Sequence, residues 1–343
     1  MNKKLFNLIL VLLLSTFVAF NGCKKDEESN PVTPTINESE ILAKHFEDNN
    51  LYVHGASFVI TAENVRTNIL TNPTKQLIID IRSAADFATK HLKGAVNQTV
   101  AGLPAYFKTL TLANYDKVVI VCYSGQTSAF ATSLMRAMGY GDKVVSMKWG
   151  MSSVDSSFAQ NYWLNTIANG SSRVSEFVTT TSPAKNAKGD LPKLSTGKST
   201  AAEILEARVN AVATEGFGQA NISQATVYSN LASYYICAFW PNNLYLDPGH
   251  INGAIQYDPA AATKTFALGV DLKTLPTDKT VLVYCYTGQT SAFVAGYLRL
   301  LGYDAKSIGY GANGMIYNSM VAKNVANTFI PANEIKGYTD IFD

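Results

Sequence analysis

Short apolar runs alternate along the chain with segments whose apolar residues recur at helical spacing. The runs typical of buried strands are QLIID at 76–80, VVIV at 118–121, SYYIC at 233–237 and VLVY at 281–284. Helical patterns open each half, with ESEILAKHF beginning at 38 and STAAEILEARVNAV beginning at 199. This alternation predicts an α/β fold in which mainly parallel sheets are flanked by helices.

The order of these elements repeats along the chain. The recurring segments are ITAENV at 60–65 and ISQATV at 222–227, HLKGAV at 91–96 and HINGAI at 250–255, and VCYSGQTSAF at 121–130 and YCYTGQTSAF at 284–293. Their nearly constant separation indicates an internal duplication. We therefore expect tandem domains over 38–168 and 199–335. A linker at 169–198, rich in Ser, Thr, Gly, Lys and Pro, joins them, and a tail follows at 336–343.

A helical pattern follows each copy of the ten-residue motif. Its apolar positions, four residues apart, are Phe130, Leu134 and Met138 in the first copy and Phe293, Tyr297 and Leu301 in the second. This spacing predicts a helix with one stripe facing the core. Gly139 and Gly302 stand where a left-handed C-terminal cap is expected. Thr200 and Glu203 have the spacing of a capping box at the start of the second half.

The first 22 residues differ from the rest. Two lysines precede an apolar run that is short for a spanning helix, and small Gly22 precedes Cys23. This pattern is typical of an export signal of the lipoprotein type, with Cys23 as the lipidated residue; an ordinary cleaved peptide with an incidental cysteine is the alternative. A flexible tether at 23–37 follows, and its charged KKDEE is either a surface-sorting tag or a solvated spacer. We expect an exported protein held at the cell envelope by lipid alone, facing the periplasm or the surface.

The composition excludes several classes of protein. The chain of 343 residues is 47% hydrophobic with a formal net charge of +2, and no strongly basic run indicates nucleic-acid binding. Besides Cys23 the cysteines are Cys122, Cys237 and Cys285, an odd number that leaves at least one thiol unpaired within the chain. Their spacing predicts no metal site, and no cofactor is expected. We expect Cys237 to be a buried strand thiol.

Cys122 and Cys285 each lie between a predicted strand and a predicted helix. In a parallel sheet this is the ligand-binding edge, and a loop closing onto a helix start directs several backbone N–H groups toward one point. Gly125 and Gly288 permit the tight turn. Additional hydroxyl donors are expected from Ser124, Thr127, Thr287 and Thr290. Such a setting favours the thiolate and stabilises an anion on the sulfur.

CYSGQT and CYTGQT resemble the six-residue active-site loop of rhodanese-family sulfurtransferases, and IIDIRSAADFATKHLKGAVN at 78–97 is similar to the strand and turn that precede it in that family. The resemblance implies tandem rhodanese-like domains in which a cysteine takes sulfane sulfur as a persulfide. The donor would be thiosulfate or 3-mercaptopyruvate, and the acceptor a thiol, cyanide or a protein. It implies Cys122 and Cys285 as nucleophiles and an Asp80–Arg82 ion pair as support. The implied cradles are Tyr123, Ser124, Gly125, Gln126 and Thr127, and Tyr286, Thr287, Gly288, Gln289 and Thr290.

Some positions depart from the family pattern or carry a structural interpretation. The second half has Tyr235-Ile-Cys237 where the first has Asp80-Ile-Arg82, so we expect no ion pair there. His91 and His250 each precede a Gly-Ala turn and are expected to pack in it. Neither loop contains Arg or Lys; Arg136 and Lys148 could supply charge from outside, although solvent exposure is the favoured interpretation of both.

Three other possibilities are considered. A phosphatase or arsenate reductase loop needs an arginine where this chain has Ser128 and Ser291, which sets that chemistry aside. A non-catalytic sulfane-sulfur carrier, redox sensor or protein-binding module would also use a reactive thiol and stays open. A degenerate scaffold with both cysteines buried is disfavoured because both loops are intact.

Overall fold

The computed structural model describes residues 37–51 and 57–343. The predicted signal peptide, Cys23 and the tether up to residue 36 lie outside the described residues. Within those residues, no helix has the length and apolar character needed to cross a membrane.

The first half contains a five-stranded parallel sheet in the part of the chain that is described, in the order β1-β5-β4-β2-β3. The elements are α1 Glu38–Asp48, β1 Val59–Ile60, α2 Ala62–Thr71, β2 Gln76–Asp80, α3 Ala84–Thr89, β3 Ala95–Asn97, α4 Leu103–Lys108, β4 Lys117–Val121, α5 Gln126–Met135, β5 Val144–Met147, α6 Ser156–Ala159 and α7 Asn165–Ala168. Strand β6, Phe177–Val178, follows in the connecting segment.

The second half repeats this sheet with equivalent strands in the order β10-β8-β11-β12-β7. The elements are α8 Ala201–Gln219, β7 Asn221–Ile222, α9 Gln224–Ser229, β8 Tyr234–Phe239, α10 Asn242–Leu246, β9 His250–Ile251, β10 Ile255–Tyr257, β11 Thr280–Tyr284, α11 Gln289–Leu300, β12 Ala305–Ile308, α12 Gly311–Met315, α13 Tyr317–Ala322 and α14 Pro331–Glu334. The tandem α/β fold predicted from the alternation and the duplication is confirmed.

Local sequence accounts for where several helices begin. Thr61, Ser223 and Thr200 cap α2, α9 and α8 by accepting a hydrogen bond from a first-turn N–H, because short hydroxyl side chains replace the missing intrahelical partner. The cap predicted at Thr200 is confirmed: its hydroxyl also donates to the Glu203 carboxylate, at 2.6 Å. Gly139 and Gly302 have φ of +87° and +94°, as predicted for left-handed caps.

One hydrophobic cluster spans both halves. A single cluster joins Leu42 of α1, Val118 of β4 and Phe130 of α5 to Val209 of α8 and Leu298 of α11. Helices α5 and α11 pack directly against each other. The expectation of one core-facing stripe on each of these helices is wrong, because both are buried around nearly their whole circumference between the halves. The cysteine loops that precede them consequently lie near the interface between the halves.

The connecting segment and the C-terminal tail pack against the halves. Strand β6 pairs antiparallel with β9 of the second half. The tail crosses the first half, where Ile341 is fully buried and Phe342 bridges to Leu92. Arg66 of α2 forms an ion pair with Asp340. The end of the chain therefore joins the core of the first half.

Candidate active site

Each predicted nucleophile lies at the carboxyl end of the central strand of its sheet. Cys122 follows β4 and Cys285 follows β11, and each loop turns through a glycine with positive φ, +84° at Gly125 and +76° at Gly288. Helices α5 and α11 begin at the next residue. The strand, cysteine loop and helix predicted in both halves are therefore present.

The Cys122 sulfur has several close hydrogen-bond partners. The backbone N–H groups of Gly125 and Ser128 donate to Sγ over 3.2 and 3.3 Å, and Sγ donates to Ser128 Oγ at 3.4 Å. Ser128 Oγ is also 2.7 Å from Ser146 Oγ, which donates in turn to the Gly125 carbonyl. These contacts match what a sulfur anion needs in a buried site.

The Cys285 sulfur has a sparser set of partners. Ser291 N–H donates to Sγ over 3.3 Å, with Ser291 Oγ at 3.6 Å and Thr287 Oγ1 at 4.0 Å. Ser291 Oγ lies 2.7 Å from Ser307 Oγ, which repeats the serine pair of the first half. The two sites therefore share the serine N–H contact and the serine pair but differ in the number of close donors to the sulfur.

The expected hydroxyl donors are partly wrong. Within residues 37–51 and 57–343, the hydroxyls closest to the sulfurs belong to Ser128 and Ser291, in the first turn of α5 and α11, and not to Thr127 or Thr290. Ser124 Oγ instead accepts from the Gln126 side chain. The sequence analysis considers these serines only as the positions where phosphatases carry an arginine. Each is the sixth residue after its cysteine, and this repeated spacing is the sequence signal for their contact with the sulfur.

A second loop, which follows β5 in the first half and β12 in the second, packs against each cysteine loop. The sequence analysis did not predict this contact. Trp149 and Tyr310 have positive φ, and the following Gly150 and Gly311 approach the cysteine loops closely. A Cβ on Gly150 would lie 2.3 Å from the Cys122 carbonyl oxygen, and on Gly311 2.2 Å from that of Cys285. The repeated aromatic-glycine pair after β5 and β12 was the signal that could have revealed it.

Both predicted nucleophiles are buried. Cys122 is 5% exposed and Cys285 is 1% exposed. Access of a sulfur donor to either thiol is therefore restricted. This burial bears directly on the choice between catalytic and non-catalytic roles.

The expected Asp80–Arg82 ion pair is present. Arg82 binds the Asp80 carboxylate through Nε and Nη2, the latter at 2.7 Å, and both side chains are buried. Burial disfavours the charged guanidinium, but the hydrogen bonds and charge of Asp80 outweigh it and raise the Arg82 pKa. Arg82 also donates to the Lys90 carbonyl and lies 5.0 Å from the centre of the Tyr123 ring. Arg82 therefore connects the end of β2 to Tyr123 of the first cysteine loop and to the turn at Lys90.

The correspondence predicted for the second half is displaced by three residues. Asp80 pairs with Val121 in the sheet, and the equivalent partner of Tyr284 is Ala238. The residue matching Arg82 is therefore Trp240, not Cys237. The ion pair is absent at these two positions, as expected, and an indole replaces the guanidinium. An insertion around α10 obscured this register in the sequence.

Aromatic hydroxyls border both sites. Burial and then a hydrogen bond from Tyr123 to Asp86 raise the pKa of Tyr123, whose ring stacks on Tyr162 at 4.4 Å. Burial raises the pKa of Tyr286 to about 12. These groups are consequently neutral near pH 7 and can donate a proton in a hydrogen bond, but they cannot act as bases.

The two histidines pack in their turns, as predicted. His91 stacks on Phe87 with Nδ1 2.8 Å from the Phe87 carbonyl oxygen. His250 repeats the arrangement on Tyr245, also at 2.8 Å. Cys237 is fully buried in β8, as predicted, and burial raises its thiol pKa well above the usual range.

The expectation that Arg136 is solvent-exposed is wrong. Arg136 is 8% exposed, donates from Nε to the Val144 carbonyl at 2.8 Å and lies 3.2 Å from Asp142. Its role is to close the turn between α5 and β5. Lys148 is half-buried, with Nζ 4.9 Å from the centre of the Trp149 ring. For the residues that the structure describes, no group of three or more His, Cys, Asp or Glu side chains could hold a metal ion.

Comparison with known proteins identifies a domain family in both halves. The model of the rhodanese-like domain matches residues 61–157 and 239–315. Both matched segments contain the cysteine loop of their half.

Solved structures show weaker likeness. A rhodanese-related protein from Thermoplasma volcanium is 19% identical, with 30% of this chain and 92% of that chain covered and a TM-score of 0.25. The thiosulfate sulfurtransferase from Pseudomonas aeruginosa is 15% identical, with 79% and 46% covered and a TM-score of 0.28. For the 3-mercaptopyruvate sulfotransferase SseA from Escherichia coli the identity is 13%, with 76% and 99% covered and a TM-score of 0.27. Scores this low carry no information about substrate.

Proposed function

Because the chain belongs to the rhodanese family, with rhodanese-like domains at residues 61–157 and 239–315, we propose that it is a sulfurtransferase. It moves sulfane sulfur from a small donor such as thiosulfate or 3-mercaptopyruvate to a thiophilic acceptor. The sulfur is carried as a persulfide on a cysteine of one or both loops.

The observation that carries this proposal is the pair of backbone N–H groups that donate to Cys122 Sγ. The Gly125 and Ser128 N–H groups donate to the sulfur at 3.2 and 3.3 Å, and the Ser128 hydroxyl lies 3.4 Å from it. Preorganised donors of this kind favour the attacking thiolate and hold the anion that a persulfide carries. A structural thiol in an apolar core has no need of them.

With thiosulfate, the thiolate attacks the outer sulfur of the donor. A bond forms from Sγ to that sulfur, and the sulfur–sulfur bond of the donor breaks with its electron pair leaving on sulfite. With 3-mercaptopyruvate, the carbon–sulfur bond breaks instead, and the enolate of pyruvate takes up a proton. In the second half-reaction cyanide or a thiolate attacks the outer sulfur and the cysteine thiolate leaves.

We propose Cys122 as the principal site. Its sulfur has more close donors than that of Cys285 and is slightly more exposed. The buried Asp80–Arg82 ion pair lies beside the first site, where the second half has Ala238 and Trp240.

A non-catalytic carrier, redox sensor or protein-binding module is the alternative, and the burial of both sulfurs favours it. A carrier would load slowly and discharge only to a matching protein, whereas an enzyme turns over with small acceptors. Release of thiocyanate under multiple turnover distinguishes the two.

We propose that the protein is exported and anchored at the cell envelope through lipid on Cys23. The support is the sequence alone: a lysine-flanked apolar run ending in a small residue before the cysteine. Mass analysis of the mature N-terminus tests it, and an N-terminus unmodified at Cys23 contradicts it.

The function is tested by steady-state thiocyanate release from thiosulfate or 3-mercaptopyruvate and cyanide. We expect Cys122→Ser to lose most of the activity, Cys285→Ser to lose less, and the two together to lose all of it. Cys237→Ala is the matched thiol control outside both loops and should keep the rate. Absence of turnover in the unsubstituted chain with either donor would contradict the enzymatic assignment.

A further inference from the structure

The peptide group between Ser124 and Gly125 in the first loop forms hydrogen bonds through both its N–H and its carbonyl. Its N–H, that of Gly125, donates to Cys122 Sγ at 3.2 Å. Its carbonyl, that of Ser124, accepts from Trp163 Nε1 at 3.0 Å and from Gln289 Nε2 at 3.2 Å. Gln289 belongs to the cysteine loop of the other half, at the first position of α11.

Two donors on one carbonyl have a consequence for the N–H of the same peptide. They fix the rotation of the peptide plane and draw electron density toward the oxygen, which strengthens the N–H as a donor. Charge-assisted hydrogen bonds to a thiolate gain most from such polarisation. The Ser124 carbonyl therefore links Gln289 to the Cys122 sulfur across a single peptide bond.

The close fit of Gln289 supports this link. Gln289 is 3% exposed, and a Cβ on Gly125 would lie 2.3 Å from its Nε2. Gly125 has a left-handed φ of +84°, and the absence of a Cβ leaves the space that the Gln289 amide occupies. The first loop is thus shaped around a side chain of the second half.

The reverse arrangement has equally close packing, with a Cβ on Gly288 2.4 Å from Gln126 Oε1, but different hydrogen bonds. Gln126, the equivalent of Gln289, is directed to the second half through Oε1, which accepts from Tyr310 N–H at 2.7 Å. Its Nε2 donates to Ser124 Oγ at 3.1 Å in its own loop. Among the described hydrogen bonds, the Thr287 carbonyl has no side-chain donor, and Gly288 N–H does not reach Cys285 Sγ. The two glutamines are equivalent in sequence but form hydrogen bonds to different groups of the opposite half.

We propose that Gln289 is a positioning residue for Cys122, so that the reactivity of the thiol in the first half is set by a side chain of the second. The inference rests on the proposed role of Cys122 as the sulfur-accepting nucleophile. It extends that role by making the first site dependent on the interface between the halves.

The test measures alkylation of Cys122 by iodoacetamide as a function of pH, with each cysteine followed separately by peptide mass spectrometry in the full chain. Gln289→Met keeps the size and removes the donor. We expect the midpoint of the Cys122 pH–rate profile to rise by about half a pH unit, as loss of one hydrogen bond implies. The Cys285 profile should move less, since the Gln289 side chain does not donate to its sulfur.

Two further variants keep the test decisive. Trp163→Phe removes the other donor to the same carbonyl and should move the Cys122 midpoint in the same direction. Gln126→Met removes the opposite contact between the halves and should move it by less than half as much as Gln289→Met. Equal shifts for the two glutamine variants, or none for Gln289→Met in a chain with unchanged circular dichroism, would overturn the inference.

Alkylation requires no sulfur donor, so the two proposals fail separately. If Gln289→Met shifts the profile but no variant or parent takes up sulfur, the proposed function is wrong and the positioning role stands. If the parent loads sulfur on Cys122 but the profile does not move, the function stands and the positioning role is wrong.

Discussion

Arg82 and Trp240 occupy the same position in the two halves, each beside the tyrosine that follows the cysteine. The guanidinium of Arg82 lies 5.0 Å from the centre of the Tyr123 ring, and the indole of Trp240 lies 5.5 Å from that of Tyr286 at an interplanar angle of 88°. Arg82 is neutralised by Asp80, whereas the residue matching Asp80 in the second half is Ala238. The tyrosine of the first loop thus packs beside a buried ion pair, and the tyrosine of the second loop packs against an indole.

Breaking the ion pair should destabilise the protein. Asp80→Ala leaves Arg82 charged and buried, and we expect a loss of about 3–5 kcal/mol in the free energy of unfolding. Adding Arg82→Trp reproduces the Ala–Trp pair of the second half and should recover part of that loss. Denaturant titration of both variants checks this, and a double variant no more stable than Asp80→Ala would contradict it.

The close approach of Gly150 to the first loop predicts a severe effect of a single methyl group. Gly150→Ala places Cβ 2.3 Å from the Cys122 carbonyl oxygen and should both destabilise the fold and change the alkylation rate of Cys122. Gly139→Ala is the matched control, because Gly139 also has positive φ but no atom lies within 4 Å of its Cβ position. The control should cost only the left-handed strain, about 1–2 kcal/mol. Equal effects in thermal unfolding would show that the contact is unimportant.

The tail should stabilise the first half. Ile341 is fully buried against it, so Ile341→Ala is expected to cost about 2–5 kcal/mol through lost burial and a cavity. Val321→Ala, at an exposed position of α13, is the control and should change the free energy of unfolding little. Thermal unfolding of both variants decides whether the tail belongs to the fold.

Burial of His250 makes stability depend on pH. Burial lowers the His250 pKa, although its hydrogen bond to the Tyr245 carbonyl partly opposes this. The folded state thus keeps the ring neutral while the unfolded chain binds a proton below about pH 6.5, so this contribution to stability falls as pH decreases through that range. In His250→Gln the free energy of unfolding should decline less steeply from pH 7 to pH 5. Parallel pH dependence in the two proteins would contradict this.

The parts of the site that depend on local order were predictable from the sequence. Strand, cysteine loop and helix follow from an apolar run, a glycine that permits positive φ and a helical pattern, all within twenty residues of Cys122 or Cys285. The duplication followed from repeated segments. The Asp80–Arg82 pair followed from the family resemblance and from the closeness of the two residues in the chain.

The parts that depend on packing between halves were not predictable. Nothing local distinguishes Gln289 from Gln126, yet only Gln289 reaches the Ser124 carbonyl, because the halves are not perfectly symmetric about α5 and α11. The register that matches Trp240 to Arg82 required the strand pairing. Arg136 looked like a surface residue because the turn that buries it forms only once β5 packs beside β4.

The central claim is that one of these loop cysteines carries sulfane sulfur, and intact mass tests it most directly. The full chain is incubated with thiosulfate or 3-mercaptopyruvate, its mass is measured before and after cyanide is added, and any added sulfur is mapped to a peptide. We predict that sulfur is gained on Cys122, and to a lesser extent on Cys285, and is lost to cyanide with release of thiocyanate. No gain of sulfur from either donor, with both thiols still open to alkylation, would contradict the account and leave a sensor or binding module in its place.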